Sequence, residues 1–103
     1  MPSKFKNIKT EVDGLTFDSI REAKRYSELM MLYRSKIITD LELQKEFELR
    51  VNGVKVCTYR CDFFYRDQNG REVVEDVKGV RTDVYRIKNK LMIAVYGLRI
   101  LET

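Results

Sequence analysis

With 103 residues, 44% of them apolar and 11% aromatic, the chain has the makings of one domain with its own core and is not a disordered tail. Lysine and arginine outnumber aspartate and glutamate by 20 to 16, a net charge of +4 that is compatible with a polyanionic partner. Histidine is absent, which removes imidazole chemistry: serine and cysteine triads, histidine-metal nucleases and Cys2His2 zinc sites.

Residues 1–9 carry Lys4, Lys6 and Lys9 without a strong period and read as a basic flexible arm. Thr10-Glu11-Val12 and Leu15-Thr16-Phe17 flank Asp13-Gly14, a two-residue hairpin signal. Ser19 with Glu22 three residues later has the form of a capping box. Ile20, Ala23, Tyr26, Met30 and Tyr33 then recur at helical spacing, which predicts a helix over 19–35 with Tyr26, Met30 and Tyr33 on its core face. Leu41, Leu43, Phe47 and Leu49 alternate with Glu42, Gln44, Glu46 and Glu48, the pattern of a half-buried strand, and Asn52-Gly53 turns the chain back. The next strand runs from Val54 to Tyr65. Its apolar residues switch face partway, so a bulge, or burial on both sides near its end, is expected. A third strand follows the turn Asp67-Gln68-Asn69-Gly70 and ends at Lys78. Thr82 or Asp83 caps a second helix with an apolar stripe of Val84, Ile87, Leu91, Ala94 and Val95, stopped by Gly97; Leu98 to Leu101 reads as a last strand. Cys57 and Cys61, four residues apart on one strand, have Cα atoms about 13 Å apart, too far for a disulfide, and read as small buried hydrophobes. There is no internal repeat or linker, so residues 1–103 are expected to form one α/β domain: hairpin, helix, three antiparallel strands, helix, strand.

The chemistry concentrates on the second and third strands, Tyr59-Arg60-Cys61-Asp62-Phe63-Phe64-Tyr65 and Val73-Val74-Glu75-Asp76-Val77-Lys78. A three-residue loop closing between Asp67 and Arg71 fixes the register, and in it Asp62 faces Asp76. Residues directly opposite have Cβ atoms about 4.5–5.5 Å apart and like charges there are destabilising, so a divalent cation would account for the pair. Lys78, two residues on from Asp76, lies on the same face. Two carboxylates and an ammonium are the inventory for metal-assisted phosphodiester hydrolysis, or, more plainly, an exposed face on which Lys78 pairs with Asp76. Glu75 points to the opposite face and is left out of the site; Gln44 is expected to be exposed.

An acid on the first helix, an aspartate on the second core strand, acid-x-Lys on the third, then a helix and a strand resemble the PD-(D/E)XK nuclease superfamily, over about Asp18 to Leu101. The opening Phe17-Asp18-Ser19-Ile20-Arg21-Glu22-Ala23 is similar to that of small phage-encoded and Holliday-junction-resolvase-like members. The resemblance implies a restriction-endonuclease-like α-β-β-β-α-β core, a mixed central sheet flanked by helices, here with an N-terminal β-hairpin. It implies that Asp62, Asp76 and the main-chain carbonyl of Val77 hold Mg2+, with Mn2+ able to substitute, and that Lys78 orients the attacking water. Glu22 matches the helix acid of many members and either completes the metal site or serves as the capping-box partner of Ser19. Cys61 stands where the motif's name has proline, and Asp76 where glutamate is commoner; both variations are tolerated in the superfamily.

The expected function is therefore a Mg2+-dependent, structure-selective DNA endonuclease, a phage Holliday junction resolvase among the options. Arg81, Arg86, Lys88 and Lys90 on and before the second helix, with Lys4 and Lys6 in the arm, are the expected phosphate contacts. Tyr85 reads either as a stacking residue or as core. The core consumes the chain, so DNA shape rather than a long base sequence would be selected. Symmetric incision of a junction needs two sites, hence an expected homodimer. The alternatives are a non-catalytic nucleic-acid-binding module on the same fold, or a small accessory or inhibitor protein using Glu42, Glu46 and Glu48 to bind a host protein. No small-molecule cofactor or membrane partner is expected. The N-terminus lacks the apolar run of a signal peptide, and a cytoplasmic location, that of the host for a phage protein, follows.

Overall fold

The computed structural model describes residues 8–77 and 81–103, so Lys4, Lys6 and Lys78 lie outside the described residues. Backbone contacts divide the chain into two units, residues 1–37 and 38–103. In the first, β1 (Thr10–Val12) and β2 (Leu15–Phe17) pair antiparallel around Asp13-Gly14, both with positive φ, as a two-residue primed turn requires. Helix α1 (Ile20–Arg34) starts at Ser19, whose Oγ accepts the Glu22 amide at 3.1 Å. It ends in a Schellman motif: Lys36 is left-handed at φ 61°, and the amides of Lys36 and Ile37 donate to the carbonyls of Tyr33 and Leu32. The buried face of α1 is Glu22, Ala23, Tyr26 and Leu29. This corrects the sequence expectation at the C-terminal end: Tyr33 in the last turn is exposed, and Leu29 is fully buried instead. Tyr26 packs its ring on Phe17 and donates to Asp13 Oδ2, fixing the hairpin to the helix.

The second unit holds β3 (Thr39–Leu43), β4 (Glu46–Val51), β5 (Val54–Arg60), β6 (Phe63–Arg66), β7 (Glu72–Asp76), α2 (Asp83–Tyr96) and β8 (Ile100–Glu102). The two long strands expected from alternation are each broken, at Gln44-Lys45 and at Cys61-Asp62, directly opposite one another. Gln44 is left-handed, φ 55°, and the amides of Gln44 and Cys61 donate across the break to the carbonyls of Asp62 and Lys45 at 3.0 and 3.1 Å. Beyond it the hairpin continues in another sheet: β4 and β5 pair with each other, whereas β3 and β6 join a four-stranded sheet of order β3-β6-β7-β8, antiparallel except for the parallel pair β7 and β8. The anticipated bulge is also present, at Val56, where Leu49 faces Cys57 and Arg50 faces Lys55; β6 is buried on both faces.

Phe47, Leu49, Tyr59, Cys61, Phe64, Val74, Tyr85, Met92 and Ile100 form the core between the two sheets and α2. Thr82 caps α2 through its Oγ1, and Gly97 at φ 70° ends it. The stripe expected on α2 is only half right. Tyr85 and Met92 are buried, Leu91 and Val95 lie at the margin, and Val84 and Ile87 are 61% and 58% exposed, with Ala94 exposed as well. An apolar arc this wide can present either half to the core; the half bearing Tyr85 places a large ring inside and gives its hydroxyl a partner. Among the described residues no helix is long and apolar enough to cross a membrane.

A left-handed backbone costs a residue with a Cβ about 1–2 kcal/mol, and a β-branched one more. Gln44→Gly is expected to hold or raise stability and Gln44→Val to lower it by at least about 1 kcal/mol. Urea denaturation decides: equal stabilities for the two variants would mean that the fold does not impose this conformation.

Candidate active site

The hairpin from β6 to β7 has the register expected from its turn. Asp67 Oδ1 accepts the amides of Asn69 and Arg71, Gly70 takes φ 74°, and Phe63, Phe64, Tyr65 and Arg66 face Glu75, Val74, Val73 and Glu72. Continuing that register by one residue sets Asp62 against Asp76. The ladder frays there: the Asp62 amide donates to the Glu75 carbonyl at 3.1 Å while its own carbonyl accepts Gln44. Held from both sides, Asp62 turns its carboxylate onto the end of β7, where Oδ2 accepts the Val77 amide at 2.7 Å. Asp62 therefore reaches the peptide linking Asp76 to Val77.

Asp76, the last residue of β7, is only 4% exposed, and its Oδ2 accepts the Tyr59 hydroxyl at 2.6 Å. Glu75 points the other way, as strand alternation requires, and is fully buried with Tyr65 Oη on one oxygen and Thr103 Oγ1 on the other. The parallel register sets Glu102 of β8 beside Asp76. Glu102 accepts from the Arg81 guanidinium through Nε and Nη2 and from the Tyr85 hydroxyl at 2.6 Å. The sequence reading missed Glu102 and Tyr59. The alternation of Ile100 and Glu102 on one strand was the available signal for the first, but it gains meaning only with the β7–β8 register in hand.

Glu22 lies on α1 in the first unit, buried, with its amide on the Ser19 cap. Arg81 is turned to Glu102, and Arg86 pairs with Asp83 at 3.2 Å. Arg86 and Lys90 share the exposed side of α2 one turn apart, but Lys88 is half-buried on the opposite side of the axis, so the three do not form one stripe. Gln44 is exposed, as expected. Cys57 and Cys61 are free thiols, and burial pushes Cys61 up to about 12, leaving it protonated at neutral pH.

Among the described residues no group of three or more acidic or cysteine side chains is gathered to hold a metal ion. Two carboxylates and a neighbouring main-chain carbonyl offer hard oxygens only, a donor set that suits Mg2+, which keeps several of its waters and needs one or two carboxylates. The bonds from Val77 and Tyr59 orient the carboxylates of Asp62 and Asp76.

The model of the family described as "Protein of unknown function (DUF1064)" matches residues 2–100. The chain belongs to this family. No curated protein and no solved structure matches it.

Burial, with the hydrogen bond and charge of Glu102 adding to it, holds the Tyr85 hydroxyl well above the ordinary value of 10.0. With the folded value raised, the stability this phenol contributes is complete below pH 10. Above it the unfolded chain releases a proton that the folded chain keeps, and stability falls. Tyr85→Phe is expected to cost roughly 1.5–3 kcal/mol near neutrality and to flatten the decline between about pH 9 and about pH 11. Parallel declines for variant and parent in urea titrations would refute the assignment.

Proposed function

We propose that the chain is a Mg2+-dependent endodeoxyribonuclease with a restriction-endonuclease-like core, selective for branched or otherwise structured DNA. The observation that carries this reading is the bond from the Val77 amide to Asp62 Oδ2, 2.7 Å, which holds one acid against the residue that follows the other. Lys78 comes next in sequence, completing Asp-x-Lys after a motif aspartate. The α/β order of the described elements, with a mixed sheet and a helix between the parallel strands β7 and β8, is consistent with that core.

Asp62, Asp76 and the Val77 carbonyl would hold the ion, Mg2+ or Mn2+ in its place. When bound it supplies a Lewis acid for the phosphoryl oxygens and lowers the pKa of a coordinated water. The protein groups do the positioning. Lys78, a cation rather than a base, orients the attacking water and offsets developing charge. Arg86 and Lys90 supply phosphate contacts from the exposed side of α2, with Lys4 and Lys6 adding to them and Lys88 in a lesser role; Arg81 joins them by exchanging Glu102 for a phosphate. Glu22 acts as the capping-box partner of Ser19. Under this reading the protein works as a homodimer on junctions, in the cytoplasm, that of the host for a phage-encoded chain.

Cleavage of labelled four-way junction, flap, nicked and linear duplex DNA with Mg2+, Mn2+ or EDTA tests it. Asp62→Asn and Asp76→Asn are each expected to lower metal-dependent cleavage by more than about 100-fold, beyond the usual effect of losing an outer-sphere partner, while remaining folded. Full cleavage by either folded variant would overturn the site. Salt-sensitive DNA binding without cuts under every metal condition would replace the enzyme with a non-catalytic binding module.

A further inference from the structure

Tyr59 is 3% exposed and sits on β5, in the two-stranded sheet, yet its hydroxyl crosses the core to Asp76 Oδ2 on β7 of the other sheet, 2.6 Å away. A phenol committed to a buried carboxylate leaves that oxygen a defined orientation, because rotating the carboxylate would break a short charge-assisted bond.

The same hairpin contains a matched pair with no place in the proposed chemistry. Tyr65 donates to Glu75 at 2.8 Å, an equally buried phenol–carboxylate bond one residue earlier on β7 and on the opposite face. Stability alone would make the two bonds equivalent. They differ in face: the continued register sets Asp76 opposite Asp62, whereas the Glu75 side chain points to the other face, where Thr103 also donates to it.

We propose that Tyr59 is a positioning residue for a divalent cation at Asp76: it fixes the carboxylate in the orientation that binds Mg2+ or Mn2+ together with Asp62. This deepens, and rests on, the nuclease reading. Outer-sphere partners of metal-binding carboxylates are typically worth 10–100-fold in affinity, and Tyr59→Phe removes the donor while keeping the ring in the core.

Mn2+ affinity of the full chain, read from the electron paramagnetic resonance of free Mn2+ with Mg2+ as competitor, tests it without any cleavage assay. Thermal melts of each protein run alongside. Tyr59→Phe is expected to weaken Mn2+ by about tenfold or more; Tyr65→Phe to lower the melting temperature with affinity unchanged; Asp76→Asn to abolish binding. Wild-type affinity in Tyr59→Phe, with Asp76→Asn still defective, overturns the role of Tyr59 and leaves the nuclease reading standing. Equal losses in Tyr59→Phe and Tyr65→Phe overturn it too, as a general loosening of the hairpin. Unchanged affinity in Asp76→Asn removes the metal site and this inference with it. Should Tyr59→Phe fail to fold, 3-fluorotyrosine at position 59 carries the test: its 19F resonance moves on Mg2+ titration if the role is real, and a resonance that stays put refutes it.

Discussion

The left-handed residue at Gln44, with the two main-chain bonds that cross the chain beside it, sets the course of the second unit. A hairpin of this length, left unbroken, would form one ribbon. Its interruption at matching points on both strands sends one half into the four-stranded sheet and leaves the other paired only with itself. The core lies between the halves and α2, and Tyr59 is carried to where it meets Asp76. Asp62 occupies the break itself, so its main chain is spent on the join and its side chain is turned to the end of β7. The local strain is compensated by the burial that the two-sheet arrangement permits.

Three carboxylates at the ends of β7 and β8 meet three tyrosines from three different elements: Glu75 with Tyr65 of β6, Asp76 with Tyr59 of β5, and Glu102 with Tyr85 of α2. Burying an ionised carboxylate without partners is prohibitive. A phenol answers that cost with a strong neutral donor on a large apolar ring, so the side chain that satisfies the charge also fills the core. Among the described residues no buried side-chain nitrogen or oxygen lacks a partner. Arginine would meet the same need with a full counter-charge and draw each acid into an ion pair. At Asp76 the phenol donates a hydrogen bond and brings no charge of its own.

Local signals in the sequence were readable wherever a single element carried them. Asp13-Gly14, Asn52-Gly53 and Asp67 to Gly70 gave three turns, Ser19, Thr82 and Gly97 gave three helix ends, and the loop length at Asp67 placed Asp62 against Asp76. Properties that belong to pairs of elements were not readable. Alternation runs through Gln44 and Lys45 without a sign that the backbone turns there, because the break is imposed by the partner strand and not by a glycine. Which half of the α2 arc faces inward depends on what Tyr85 finds across from it, and that partner is 17 residues away. Glu102 enters the picture only through a parallel register with β7, which has no turn to encode it. The Schellman end of α1 escaped notice because lysine fills the position where glycine is the usual sign.

The β6–β7 register also has a temporal meaning. Asp62 and Asp76 belong to one hairpin closed by a three-residue loop, so the chain loses little entropy in bringing them together. The pairing of Val74 with Ile100 spans all of α2 and comes at a larger entropic cost, with the helix formed and docked in between. The two acids therefore become neighbours on the short timescale of hairpin formation, before β8 delivers Glu102. For an interval during folding their mutual repulsion is therefore unrelieved by the finished core.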